Sequence, residues 1–412
     1  MISNIIIALV ALMYVIDLMI TLVNYQYRHQ PIPDTAKDIY DQEKYQKWLS
    51  YFMETNRFGV IDKTINTALL LVLLGFGFFG WLEQLTLQWF THPILQTLAF
   101  LGVFGLLSML ISLPFDYYGT FVIEEKYGFN KTSHKTFFVD ILKNILVVAG
   151  LGGGLVALLN AIYLQFVGQI WWFVLYAWVI LTVVMVILFV LNTKVFVKIF
   201  NKLTPLPEGE LRDKIQALAE KVGFNVKAIS VMDASKRSTK LNAFFSGLGK
   251  TREVVLFDTL VEKLDEEEIL SVLAHELGHA VHKDVPRMLG LQIAMFGLYA
   301  VVIGFILQSA PLAQAFGLSG VHLGFSLILF SILISPLELI LTFPLNFISR
   351  KAEYAADAFA TEHVGKEPTM SAFIVLAQEN LANLTPHPVY VLMHYSHPTI
   401  PQRLQAISRY GD

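Results

Sequence analysis

Two histidines and a glutamate stand in the order His-Glu-Leu-Gly-His, at His275, Glu276 and His279. The flanking sequence predicts a helix that begins after Asp265, a typical N-cap followed by acidic residues, and ends before Pro286. Positions i and i+4 of a helix share a face, so both imidazoles can reach one metal ion. A neighbouring carboxylate can take a proton from an attacking water. The pattern therefore predicts hydrolysis that depends on one zinc ion per chain, with Glu276 as the general base.

A catalytic zinc ion needs a third protein ligand besides an open position for water. Glu353 is the candidate, in a helix predicted over 350–365. Asp357 lies one turn further on the same face, and its carboxylate can accept the N–H of a ligand imidazole and fix its tautomer. A solvated acidic face is the alternative for both carboxylates. His282 competes as a ligand, but a site made by one helix would be cramped, so we interpret it as a supporting or packed residue.

The composition indicates a membrane protein. Of 412 residues, 55% are hydrophobic and 15% charged, whereas about a quarter are charged in soluble domains. The formal charge of −3 and the lack of a basic tail give no basis for a nucleic-acid partner. The chain has no cysteine, so disulfides and thiolate ligands are excluded, and a metal must be held by histidines and carboxylates.

Seven apolar stretches are long enough to cross a bilayer as helices, which takes about 20 residues. They lie near 4–24, 65–82, 94–113, 145–166, 170–192, 288–308 and 323–347. Nothing basic precedes the first, and its apolar run is too long for a signal peptide, so we expect it to remain as an anchor. Asp17 and Glu338 lie within spans and should face a protein or water interior, because charges are costly in lipid.

The basic residues predict the orientation of these spans. All 30 Lys and Arg residues fall in four regions, namely 25–63, 115–144, 194–287 and 350–412. The intervening loops have none, and they lie near 83–93, 167–169 and 309–322. The positive-inside rule then puts the N-terminus outside and the C-terminus in the cytoplasm. The sequons at Asn130 and Asn383 would lie in the cytoplasm and stay unglycosylated.

The predicted architecture is mainly α-helical, with one small α+β lobe. Its parts are five transmembrane helices in 1–193 with cytoplasmic loops 25–63 and 115–144, a cytoplasmic lobe over 194–287, two further transmembrane helices over 288–349, and a C-terminal part over 350–412. Apolar spacing and β-branched runs inside the lobe predict a helix near 209–223 and strands at Ala228–Met232, Lys240–Phe245 and Val254–Phe257.

The chain resembles the membrane zinc endopeptidases of the type I CAAX prenyl protease family. The resemblance extends from about residue 110 to the end, and it rests on Leu113–Phe115, Phe121–Lys131, His275–His279, Asn346–Asp357, and Tyr395–Pro398 followed by Arg403. It implies seven helices that enclose a large chamber, with zinc held by two His and one Glu in a gluzincin-type lobe that faces it. The compact chain suggests a bacterial member in the inner membrane; a eukaryotic one would reside in the endoplasmic reticulum.

The resemblance also implies roles that the residues alone do not give. His397 would stabilise the oxyanion, and Arg403 would support His397. Asn242 and Ala243 would lie on an edge strand that pairs with the substrate backbone. Without the resemblance, His397 before Pro398 would be interpreted only as a turn residue.

The function implied is cleavage of lipidated, CAAX-type or other membrane-associated polypeptides near their C-termini, on the cytoplasmic side. The alternative is a quality-control protease for membrane proteins with no need for a prenyl group. From other classes, a transporter or channel would leave His275 and His279 unexplained. An inactive scaffold would be expected to have lost Glu276 or a ligand, yet all these positions are filled.

Overall fold

The protein is described here by a computed structural model that covers residues 1–224, 228–246 and 253–411. Within these residues, seven helical segments are long and apolar enough to cross a membrane. They are Ile2–His29, Gln42–Gly75, Pro93–Glu124, His134–Gln165, Ile170–Phe200, Asp284–Ile306 and Leu323–His363. The predicted mainly helical fold with seven membrane helices is confirmed.

The first half of the chain is helical and the second half mixes helices with a small sheet. Its helices are α1 (Ile2–Gln26), α2 (Gln42–Gly75), α3 (Phe78–Trp89), α4 (Pro93–Tyr118), α5 (His134–Val147), α6 (Gly153–Gln165), α7 (Ile170–Leu191) and α8 (Val197–Phe200). The lobe adds β1 (Leu203–Pro205), α9 (Glu210–Lys221), β2 (Ala228–Met232), β3 (Ala243–Ser246), β4 (Glu253–Phe257), α10 (Asp258–Lys263) and α11 (Glu266–Val281). The remaining helices are α12 (Asp284–Ile306), α13 (Ala310–Gln314), α14 (Leu323–His363), α15 (Lys366–Glu379), α16 (Pro388–His394) and α17 (Ile400–Ser408).

Helix α2 differs from the span predicted at 65–82. It begins 23 residues earlier than predicted, at Gln42, where the Asp41 side chain accepts a hydrogen bond from the Lys44 N–H, and it ends at Gly75. Gly77 then adopts a φ of +73°, in the left-handed region that glycine tolerates, and α3 starts. Much of the predicted loop 25–63 is therefore helical, because the polar half of a long helix can extend beyond the apolar layer.

Helix α14 joins two elements that the sequence predicts separately, a span over 323–347 and a helix over 350–365. It runs unbroken for 41 residues. No glycine or proline stands between Phe347 and Arg350, so nothing ends the helix where its sequence changes from apolar to charged. The membrane span and the predicted metal ligand Glu353 therefore belong to one rigid element.

The lobe contains a four-stranded sheet in the order β1-β2-β4-β3. Strands β2 and β4 run parallel, with Ala228 opposite Glu253, while β1 and β3 pair antiparallel to their neighbours. The predicted strand at Ala228–Met232 is confirmed, and the two others are shifted slightly along the chain. One face of the sheet packs on α11 through fully buried side chains, including Val254, Leu256, Leu273 and Leu277.

The four basic regions contact one another on one side of the spans. Arg237 of the lobe forms an ion pair with Asp140, with 2.8 Å between Nε and Oδ2. The Tyr40 hydroxyl donates to the Ala377 carbonyl at 2.9 Å, and the Asn380 side chain accepts from the Leu241 N–H at 3.0 Å. A separate apolar cluster gathers residues in or next to the loops that lack basic residues, including Phe79, Leu82, Ile170, Phe316 and Leu318.

Several spans bury very little of their surface against the rest of the protein. Only 6% of the most apolar 18-residue stretch is buried in Pro93–Glu124, and the same holds in His134–Gln165. Such low burial fits helices with lipid on one face and an interior space on the other, the chamber that the resemblance implies. The polar groups predicted to avoid lipid have partners: Asp17 pairs with Lys63, and the Glu338 carboxylate accepts from the Tyr299 hydroxyl at 2.9 Å.

Candidate metal centre

The centre forms where α11 crosses α14. An N-terminal capping box fixes the start of α11, since Asp265 accepts from the Glu268 N–H at 2.8 Å and Glu268 accepts from the Asp265 N–H at 2.9 Å. Gly278 lies at the crossing. A Cβ at this position would come within 3.0 Å of Ala356 Cα and 3.2 Å of Phe359 Cβ, so the two helices meet as closely as glycine permits.

This crossing brings together the three predicted metal ligands. One nitrogen or oxygen from each of His275, His279 and Glu353 lies within 4.8 Å of the others. His275 Nε2 is 3.2 Å from His279 Nε2 and 3.4 Å from Glu353 Oε2, and His279 Nε2 is 3.3 Å from Glu353 Oε1. Two imidazoles and a carboxylate converging in this way form the donor set of a catalytic zinc site.

The carboxylate of Glu353 gives an independent test of whether a cation fits here. Glu353 is 5% exposed, and within the described part of the chain its Oε2 has no hydrogen bond of good geometry, although His275 Nε2 lies 3.4 Å and Arg403 Nη2 3.5 Å away. Buried polar atoms in proteins are almost always satisfied, and an orphaned carboxylate oxygen is costly. A metal ion held between the three side chains would satisfy it, so the residues present fit the group.

Asp357 contacts the first histidine from behind. Its Oδ1 is 2.9 Å from His275 Nδ1, the arrangement that directs the other ring nitrogen toward a metal. Asp357 is 1% exposed, and Arg403 donates to both its oxygens, at 2.8 Å from Nε and 2.5 Å from Nη2. The sequence predicts that Arg403 supports His397. In the structure its guanidinium binds Asp357, because two buried carboxylates need a nearby cation, and its effect on His397 stays a prediction.

A second acid, which was not predicted from the sequence, contacts the other histidine. Asp284 Oδ2 is 3.0 Å from His279 Nδ1, and Asp284 is 5% exposed. The only sequence signal is an aspartate five residues after His279, just before Pro286, where the sequence predicts the end of the helix. His282, the competing ligand, is exposed and lies edge-on to the ring of Phe359, with 5.9 Å between centroids.

The charges of the centre shift the pKa values of its histidines. Burial and the Arg403 charge lower the pKa of His275, but hydrogen bonds to Asp357 and Glu353 outweigh them and raise it to about 9. Burial lowers the pKa of His279 too, and hydrogen bonds to Glu353 and Asp284 raise it overall. The pKa of His397 is lowered, because partial loss of hydration beside the cavity outweighs the attraction of Glu353 although the side chain stays 60% exposed. The carboxylates therefore favour positive charge at His275 and His279.

The remaining predicted residues line one small cavity beside this cluster. The cavity has a volume of about 160 Å³, and the residues around it include Asn242, Ala243, Glu276, Glu353, His397 and Arg403. His397 Nε2 is 3.2 Å from Glu353 Oε1, and the His397 side chain is 60% exposed. The predicted base, oxyanion donor and strand residues are thus gathered around the space next to the three ligands.

Strand β3 forms the edge of the sheet on the side of this cavity. It pairs with β4 alone, with Ala243 opposite Leu256, so its other edge has no strand beside it among the described residues. Ala243 is its first residue and Asn242 directly precedes it, and both line the cavity. An extended peptide in the cavity would lie along this edge.

Comparison with known proteins identifies the family. The family model described as the CAAX prenyl protease N-terminal region, with five membrane helices, matches residues 21–202, and that of peptidase family M48 matches residues 205–410. The "CAAX prenyl protease 1 homolog" of Oryza sativa subsp. japonica is 34% identical, and the alignment covers 96% of this chain and 95% of that protein. The "CAAX prenyl protease 1" of Saccharomyces cerevisiae is 33% identical over 91% of this chain and 88% of its own length.

A solved structure shows the same fold over the whole chain. The crystal structure of S. mikatae Ste24p superposes with a TM-score of 0.92 and 31% sequence identity, and the match covers 99% of each chain. The H-E-x-x-H helix and the third-ligand helix both fall within the matched peptidase region. The chain therefore belongs to peptidase family M48 and is a membrane-integral metalloendopeptidase of the CAAX prenyl protease type.

Proposed function

We propose that this protein binds one zinc ion through His275, His279 and Glu353 and cleaves CAAX-type lipidated or other membrane-associated polypeptides near their C-termini. The convergence of these three side chains, with a buried carboxylate oxygen of Glu353 left without a hydrogen bond of good geometry in the described structure, carries the proposal. Glu353 is part of a membrane-spanning helix, so the site lies where a membrane-bound substrate can reach it.

The catalytic roles follow from what each side chain can do. A zinc ion in this position supplies a Lewis acid for the scissile carbonyl and lowers the pKa of water. Glu276, on the same helix as the two histidines and beside the cavity, accepts the proton of the attacking water and delivers it to the leaving amine. His397, whose Nε2 is 3.2 Å from Glu353 Oε1, donates a hydrogen bond to the developing oxyanion. Arg403 keeps Asp357 in place behind His275.

The substrate would bind as an added strand on β3. The outer edge of β3 from Ala243 onward offers main-chain groups that recognise a peptide backbone whatever its side chains, while the Asn242 carbonyl already accepts from the Phe257 N–H at 3.1 Å. Strand addition also extends the peptide, and this presents its carbonyl groups to the catalytic side chains in a regular order. Such binding fits a protease whose specificity comes mainly from how the substrate is delivered.

The four basic regions form one face of the protein, and we assign this face to the cytoplasm by the positive-inside rule. The N-terminus would then lie outside and the C-terminus inside. The low burial of the spans supports an interior chamber below the active site, as in the family resemblance. Substrates anchored in the cytoplasmic leaflet would reach the site from the membrane.

The substrate class rests on the names of the relatives, which are called CAAX prenyl proteases. A prenylated cysteine near the C-terminus would anchor the substrate and bring its tail to the active site. Cleavage of unprenylated membrane proteins in quality control uses the same centre and differs only in how the substrate is recruited. The two functions are therefore separated by comparing substrates, not by the chemistry.

The test is cleavage of a fluorogenic CAAX-type peptide by purified protein, with the zinc content measured in parallel. Glu276→Gln should lower kcat by a factor of about 100 or more, because the base contributes through proton transfer. It should retain about one zinc per chain, since Glu276 is not proposed as a ligand. Glu267→Gln is the matched control, because Glu267 is an exposed residue of the same helix that pairs with Lys214 and should leave both values unchanged.

A second arm compares the same peptide with and without its isoprenoid group. A lower KM for the prenylated peptide supports the CAAX assignment, while equal kinetics favour the quality-control function. Zinc-free wild-type protein that cleaves normally, or Glu276→Gln protein with full activity, would refute the metalloprotease mechanism.

A further inference from the structure

The two proposed histidine ligands are each held by a different acid. Asp357 contacts Nδ1 of His275, and it lies four residues after Glu353 on α14. Asp284 contacts Nδ1 of His279 at 3.0 Å, and it comes from the chain that follows α11. In both cases the carboxylate approaches the ring nitrogen that points away from the cluster, while the Nε2 atoms face each other and Glu353.

The backbone between α11 and α12 is strained in a way that brings Asp284 to His279. Lys283 adopts a φ of +59° and a ψ of +34°, which side chains other than glycine and asparagine rarely adopt. Lys283 interrupts the helical path two residues after the end of α11, and Asp284, the first residue of α12, lies against His279. Strain of this kind persists only where surrounding contacts hold it, and it is concentrated at functional sites.

Asp284 is also held by a second partner. Arg287 Nη1 donates to Asp284 Oδ1 at 3.2 Å, while the other oxygen, Oδ2, contacts His279. Each oxygen of a buried carboxylate thus has its own donor, and the orientation of the group is fixed. A carboxylate placed only to stabilise the start of α12 would have no need to contact an imidazole of the preceding helix.

We propose that Asp284 is a positioning residue for the metal centre, which keeps the proton of His279 on Nδ1 and aims its Nε2 at the metal. The inference rests on the zinc site of the proposed function and deepens it. Each proposed histidine ligand then has its own supporting carboxylate, Asp357 at His275 and Asp284 at His279. Removal of such a supporting carboxylate typically weakens metal binding by about 10–100-fold.

The experiment measures zinc affinity directly, with metal-free full-length protein in detergent and a chromophoric chelator as competitor. Asp284→Ala should raise the zinc Kd by about 10–100-fold. With zinc at saturation, kcat should fall while KM stays near the wild-type value, because the ligand is misplaced but the β3 edge is intact. Asp284→Glu should recover part of the affinity. The visible spectrum of the Co²⁺-loaded protein should change in Asp284→Ala, since it reports the ligand geometry.

The matched control is Glu266→Ala, which removes the acid at the first position of α11 just as Asp284→Ala removes the one at the first position of α12. It should leave the zinc Kd and the Co²⁺ spectrum unchanged. If Asp284→Ala does not fold, Asp284→Asn replaces it, because the amide offers one oxygen where His279 and Arg287 need two. An Asp284→Ala or Asp284→Asn protein that folds and binds zinc within twofold of the wild type would overturn the inference. Wild-type protein that binds no zinc would instead overturn the proposed function.

Discussion

At the scale of single residues, the candidate metal centre contains two buried carboxylates whose negative charge must be compensated. Glu353 and Asp357 lie one turn apart on the same face of α14, and both are buried. Two buried carboxylates repel each other and have lost their hydration, so nearby cations are needed to stabilise them. Arg403 provides one cation, with its guanidinium against Asp357 and 3.5 Å from Glu353, and its other face covers the ring of Phe373 at 3.9 Å. A metal ion at the proposed site would provide the other.

Arg403→Met should therefore destabilise the metal-free protein. Removal of one member of a buried ion pair costs about 3 kcal/mol or more, because the remaining carboxylate stays buried without its partner. Zinc brings positive charge to the same carboxylates, so the loss should be smaller in the zinc-loaded protein. Thermal unfolding in detergent, with and without zinc, measures both values.

Arg409→Met is the control for this variant, since Arg409 is exposed and follows the same C-terminal helix, α17. Its unfolding temperature should match the wild type in both states. An Arg403→Met protein as stable as the Arg409→Met protein would contradict the counter-charge role.

At the scale of elements, the site depends on how closely α11 and α14 approach each other. Two ligands come from α11 and one from α14, so the distance between the helices sets the size of the metal pocket. Gly278 lies between the two histidines and directly at the contact with Ala356. A methyl group there would separate the helices by a few tenths of an ångström, since its nearest neighbours are backbone and Cβ atoms that cannot rotate away.

Gly278→Ala should therefore weaken zinc binding although alanine favours a helix. Alanine is preferred over glycine within helices by about 1 kcal/mol, but overpacking at a tight contact costs about 1–3 kcal/mol. We expect a higher zinc Kd and a lower kcat, both measured on detergent-purified protein.

Gly290→Ala serves as the control, because a Cβ at Gly290 in α12 would meet no atom within 4 Å. It should not change the zinc Kd. Equal zinc affinity in the two variants would mean that the crossing distance does not determine the metal site.

At the scale of the whole molecule, the chain separates charge by side. Three of the four basic regions pack together through a shared cluster that includes Ile39, Trp48, Tyr127, Phe373 and Leu404, and the lobe joins them through the Arg237–Asp140 ion pair. The loops without basic residues close the opposite end, where a Cβ at Gly80 would come within 2.5 Å of the Gly317 carbonyl oxygen. The active site therefore belongs to the basic side, and the tightly packed end lies across the membrane from it.

The proposed orientation can be tested by labelling single cysteines, because the chain has none of its own. Glu208→Cys, on the lobe, and Gly168→Cys, in a loop without basic residues, are both at exposed positions. In right-side-out membrane vesicles, a membrane-impermeant maleimide should label Gly168→Cys only, and inverted vesicles should give the opposite pattern. Labelling of Glu208→Cys in right-side-out vesicles would reverse the orientation.

Sequence alone determined the features that depend on local spacing. The i, i+4 histidines, the length of the apolar stretches and the distribution of 30 basic residues are properties of the chain, so they predicted the metal-binding helix, seven membrane helices and a charged side. The tertiary structure decided what depends on approach between distant segments. Arg403 lies against Asp357 because α17 packs on α14, and Asp284 lies behind His279 because of the turn at Lys283. No sequence spacing links Arg403 to Asp357, and the five-residue step from His279 to Asp284 does not by itself bring their side chains together, so both contacts are set by three-dimensional packing.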